Sequence, residues 1–135
     1  MNTKQKLVII GNGMAGARFI EDMLARGGRD KFEITVFGDE PYGNYNRILL
    51  SGVLAGTHDP KDIFINPLAW YTENNIKLHT SARVSEIDRA AKTVRAANGI
   101  VEAYDKLVIA TGSSAFVPPV DGLKSDDKPS EFKDG

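Results

Sequence analysis
The sequence predicts an α/β fold, a parallel sheet with a helical crossover and a small antiparallel β-meander. Three observations predict it. Leu7-Val8-Ile9-Ile10 is a continuous apolar run of the kind found in parallel strands buried on both faces. A glycine turn follows at once and opens into Ala15, Phe19, Ile20, Met23 and Leu24 at helical spacing, with Gly27-Gly28 as the stop. Glu33-Ile34-Thr35-Val36-Phe37 then reads as a second strand. Strand, helix and strand within roughly thirty residues make a right-handed βαβ unit, the core of a Rossmann-like domain.

The rest of the chain extends this unit. Residues 38–60 begin as loop, with Pro41, Gly43 and two asparagines, and a short helical stretch over 48–54 stops at Gly56. Pro67 is expected as the first residue of another short helix carrying Leu68, Trp70 and Tyr71. Ile76-Lys77-Leu78 is the expected third parallel strand. Residues 82–87, 92–96 and 100–104 form the meander, with Asn98-Gly99 as a hairpin turn. Lys106-Leu107-Val108-Ile109-Ala110 is a further apolar strand, ending in Thr111-Gly112.

Composition narrows the function. At 135 residues, 41% of them hydrophobic, the chain can bury one domain's core. The 17 basic and 18 acidic residues nearly cancel, and without basic runs nucleic acid and anionic membranes are poor partners. With no cysteine, disulfides, thiolate metal sites and a redox-active cysteine pair are excluded within it. No apolar run near the start could span a membrane or serve as a signal-peptide core, so a soluble, cytoplasmic protein is expected.

The chemistry-bearing motif is GxGxxG in Gly11-Asn12-Gly13-Met14-Ala15-Gly16. Gly11 lets the chain turn out of the strand, Gly13 lets a pyrophosphate approach the backbone, and Gly16 lets the helix pack close to the sheet. The helix start then offers unpaired N–H groups and the positive end of its dipole to the phosphates. Its position between a buried strand and an amphipathic helix is the context this mechanism requires; a mere tight turn is the alternative. A carboxylate for the ribose is expected at the end of the second strand, where Gly38 displaces it to Asp39 or Glu40. Asp39 is preferred; both residues also read as solvated loop charges. The strand ending in Ala110-Thr111-Gly112 sets small residues where open α/β sheets bind ligands, though Thr111 also suits a turn.

This order of strand, GxGxxG, meander and Tyr104-Asp105-Lys106-Leu107-Val108-Ile109-Ala110-Thr111-Gly112 resembles the FAD domain of two-dinucleotide-binding-domain flavoprotein reductases. Tyr45-Asn46-Arg47-Ile48-Leu49-Leu50-Ser51, followed by Val53-Leu54-Ala55-Gly56, resembles the N-terminus of the assimilatory NAD(P)H nitrite reductase large-subunit family. The likeness covers nearly all of residues 6–123. It implies FAD as cofactor, Arg47 near the flavin or its phosphates, and a backbone contact to the adenine near Val84. A surface ion pair is the other reading of Arg47. Gly52 stands where related ferredoxin reductases carry a lysine, which argues against that branch. Ser51 stands where disulfide- and peroxide-reducing relatives keep a cysteine, and a serine cannot shuttle electrons.

The resemblance implies a FAD-binding Rossmann-type domain over 1–124, with 125–135 a tail or linker toward a nicotinamide-binding domain beyond this chain. The parent would pass hydride from NAD(P)H to FAD and electrons onward to an acceptor protein or metal centre. The 135-residue chain alone is then expected to be inactive. A lone nicotinamide-binding module and a non-catalytic partner domain remain as alternatives. His58 and His79 are isolated, Trp70 and Tyr71 read as packing residues, and Tyr42 and Tyr45 flank a loop that could border the flavin.

Overall fold
The computed structural model describes residues 3–121. The Gly122-Leu123 turn and the tail expected at 125–135 lie outside them. Four parallel strands build one sheet in the order β3-β2-β1-β7: β1 (Gln5–Ile10), β2 (Phe32–Phe37), β3 (Ile76–His79) and β7 (Lys106–Ile109). A second, antiparallel sheet holds β4 (Val84–Asp88), β5 (Thr93–Ala96) and β6 (Val101–Ala103) in sequence order, as the meander required.

The apolar run of β1 is explained by what covers its two faces. Leu7 and Ile9 join Ile20, Ile34, Val36, Tyr71 and Ile76 beneath the helices. Val8 and Ile10, pointing the other way, join Phe37, Ala82, Val94 and Ala96 beneath the meander. Neither face can be polar, so the strand does not alternate.

Helix α1 (Met14–Ala25) stops as expected: Arg26 is its cap and Gly27 takes a left-handed φ of 78°. Its buried residues are Gly16, Ala17 and Ile20. Ala15, expected on the inner face, is exposed, because the close-packed stripe begins one residue later at Gly16. A single helical turn, α2 (Gly28–Lys31), fills the step into β2. The crossover from β2 to β3 contains a 3₁₀ turn over Arg47–Leu49, then α3 (Leu50–Leu54), a second 3₁₀ turn over Pro60–Ile63, and α4 (Leu68–Glu73). Pro67 caps α4 with extended ψ of 164° and is not its first helical residue. No helix among the described residues is long and apolar enough to cross a membrane.

Candidate cofactor-binding site
The carboxyl ends of the parallel strands meet at one edge. The ladder runs one residue past them: Gly11 N–H donates to Phe37 O at 2.9 Å, Gly38 N–H to His79 O at 2.9 Å, and Ala110 N–H to Ile10 O at 2.8 Å. Gly11, Gly38 and Ala110 are therefore held side by side. All the residues expected at the site extend from this edge or from the loops it feeds.

The three motif glycines differ in what a side chain would meet. Gly11 has φ of +105°, and a Cβ there would overlap the Ala110 carbonyl oxygen. A Cβ on Gly16 would stand 2.5 Å from the Gly11 carbonyl oxygen, so only glycine lets α1 sit so near the strand. At Gly13 a Cβ would meet nothing within 4 Å. Gly13 is also the N-cap of α1 and supplies no side-chain cap, and the first turn carries no acidic residue. The N–H groups of Met14, Ala15 and Gly16 thus begin a helix whose positive end no carboxylate of its own neutralises.

Glu40 is the hub of the neighbouring loop. Its Oε1 accepts from the Tyr45 hydroxyl at 2.9 Å and from Arg47 Nη2 at 2.9 Å. The Arg47 guanidinium also lies 5.7 Å from the Tyr45 ring centroid. Burial, and then the hydrogen bond to Glu40, push the Tyr45 phenol above its ordinary pKa, so it remains a donor. Asp39 takes no part in this cluster; its Oδ2 lies 3.6 Å from Arg83 Nη1, and its side chain is 64% exposed. Of the two carboxylates, Glu40 is engaged by donors and Asp39 is the freer.

Val84, at the start of β4, and Thr111, just beyond β7, line one shallow groove of ≈ 240 Å³ with Ile10 and Ile109. Gly112 follows with φ of +70° and open space around it. A slightly larger hollow of ≈ 280 Å³, lined by Lys4, Arg29 and Asn74, lies at the amino ends of β1 and β2. Open α/β sheets bind ligands at the opposite end, so the glycine edge is the better candidate.

Gly52 has a local explanation. His58 folds back over α3 until its Nδ1 occupies the space a Cβ at position 52 would need. The backbone N–H groups of Thr57 and His58 both donate to Gly52 O, at 2.8 and 3.2 Å.

Three polar residues were not legible in the sequence. The Tyr71 hydroxyl donates to Asn12 Oδ1 at 2.9 Å and accepts from Asn44 N–H at 3.3 Å. Asn44 in turn accepts from Asn66 N–H at 3.1 Å through Oδ1. A tyrosine among apolar residues reads as packing, and Asn12 as a motif spacer. The one available signal was a buried phenol's need for a partner.

Fold and bare glycine turn define a Rossmann-type unit of the class that carries ligands at the carboxyl ends of its strands. The chain belongs to the pyridine nucleotide-disulphide oxidoreductase family, whose profile matches residues 5–134. It is 50% identical over 119 residues to nitrite reductase [NAD(P)H] of Bacillus subtilis (strain 168), covering 88% of this chain and 15% of that protein. It is 38% identical over 125 residues to the nitrite reductase (NADH) large subunit of Escherichia coli (strain K12), covering 93% of this chain and 15% of that one. Among solved structures, the covalent putidaredoxin reductase–putidaredoxin complex superposes with a TM-score of 0.80 at 29% identity, over 90% of this chain and 29% of that one.

Proposed function
We propose that this chain holds the adenine and pyrophosphate half of FAD over its glycine turn. It would do so as the FAD-binding part of an NAD(P)H-dependent flavoprotein oxidoreductase of the nitrite reductase large-subunit kind. The observation that carries the reading is Gly13: alone among the three motif glycines, its missing Cβ leaves space facing outward and no contact within the protein. A pyrophosphate approaching the backbone needs that space.

The residues present fit the group. Backbone N–H groups of Met14, Ala15 and Gly16, reached across Gly11 and Gly13, face the phosphates. Asp39 takes the ribose hydroxyls, because Glu40 is already engaged in holding Arg47 for the flavin or its phosphates. The backbone near Val84 meets the adenine, and Ala110, Thr111 and Gly112 lie beneath the dinucleotide. When bound, FAD supplies hydride acceptance and the release of single electrons. The work of this chain is to bind, orient and shield it. Residues 1–124 form the FAD unit and 125–135 lead toward a nicotinamide-binding domain. Likeness to a reductase joined to putidaredoxin favours a protein partner downstream.

Equilibrium dialysis tests the reading. FAD should accumulate with the purified 135-residue chain at micromolar or weaker affinity, and the mixture should not oxidise NADH, since the sequence has one GxGxxG turn. No accumulation of FAD, or robust NADH turnover, contradicts it.

A further inference from the structure
We infer that Tyr71 is a positioning residue for the dinucleotide site, its single hydroxyl tying the glycine turn to the loop that carries Arg47. The inference rests on the proposed reading of the glycine turn as a pyrophosphate cradle. Tyr71 is 1% exposed and its ring lies in the core beneath the helices, among Leu7, Ile9, Ile34 and Val36. Burial, above all, raises its phenol above the ordinary value, so the group stays a neutral hydroxyl able both to donate and to accept. It uses both capacities. It donates to Asn12 Oδ1 at 2.9 Å and accepts from Asn44 N–H at 3.3 Å.

The two partners sit at the two halves of the site. Asn12 stands between Gly11 and Gly13, the most conformationally free residues of the turn. Because its side chain is anchored from within the core, its backbone has less freedom before any ligand arrives. Asn44 directly precedes Tyr45, which bonds Glu40, and lies three residues before Arg47. Its carbonyl accepts from Ile65 N–H at 3.0 Å, and Asn46 N–H donates to Ile63 O at 2.8 Å, so the loop is pinned as a short ladder. The Nδ2 atoms of Asn12 and Asn44 are buried without a partner among the described residues. The two bonds of the hydroxyl fix geometry; the ring alone would suffice for packing. Preorganisation of a flexible glycine turn acts directly on ligand affinity.

The test is Tyr71→Phe, which keeps the ring and removes the hydroxyl, titrated by NMR chemical shift with ADP and with adenosine. Adenosine lacks the diphosphate that meets the turn, so it reports on the adenine pocket alone. ADP should bind about fivefold more weakly to Tyr71→Phe, the scale of one lost hydrogen bond, while adenosine is unchanged. In a cycle with Asn12→Ala, the double variant should bind ADP no more weakly than Tyr71→Phe, because loss of the hydroxyl already breaks the link to Asn12. Unchanged ADP affinity in a folded Tyr71→Phe, equal losses for ADP and adenosine, or additive losses in the cycle would overturn the inference. If the unsubstituted chain takes up no ADP, the pyrophosphate reading falls and this inference falls with it.

Discussion
A methyl group at Gly11 would overlap the Ala110 carbonyl oxygen on a backbone of positive φ, whereas one at Gly13 would meet only open space. The two glycines therefore answer to different demands, one from the fold and, on the proposed reading, one from the ligand. Gly11→Ala should destabilise the chain by on the order of 3 kcal/mol, from strain and overlap together. Gly13→Val should melt with the unsubstituted chain yet lose FAD and ADP binding. Thermal melts followed by ligand titration separate these effects. A folded Gly13→Val that binds FAD with full affinity would show that the phosphates lie elsewhere. At this scale the sequence singled out Gly11 and Gly16, whose close packing the structure shows. It left Asp39 and Glu40 open, because two adjacent carboxylates look alike until a fold decides which one Tyr45 and Arg47 reach.

Among the elements, β1, β2 and α1 were legible because their apolar patterns are long and follow from two-sided or one-sided burial. The turn α2 was not: four residues, Gly28-Arg29-Asp30-Lys31, are too few to show a period. Nor could the sequence pair elements far apart in the chain, such as β3 with the meander. There, His79 Nε2 lies 2.8 Å and Lys77 Nζ 3.2 Å from Glu102 Oε1, joining the end of β3 to β6. Burial raises the Glu102 carboxyl, but the hydrogen bonds from His79 and Lys77 outweigh it, and the net shift is downward. A carboxylate whose folded pKa is depressed contributes stability above its unfolded value and loses it as pH falls through the folded one. Glu102→Gln should therefore cost about 1 kcal/mol at neutral pH, in urea melts, with the deficit closing in acid below the ordinary carboxylate range. A deficit that stays constant across that range would mean the ion cluster adds nothing to the docking of the meander.

For the whole molecule, the chain spans 15% of the curated nitrite reductases reported above. β7 forms one edge of the described parallel sheet, and its Ile109 is 61% exposed. What the described residues build is the strand edge with its glycine turn, the loop carboxylate Asp39 and the groove, which is the end that would hold an adenylate on the proposed reading. Most of the binding free energy should accordingly reside in the half that FAD shares with ADP, and each loss of about 1.4 kcal/mol weakens affinity tenfold. Calorimetric titration of the purified chain with FAD, ADP and FMN measures this directly. ADP should bind nearly as well as FAD and far better than FMN, which lacks the adenylate. FMN binding more tightly than ADP would contradict the glycine turn as anchor and reverse the placement of the ligand.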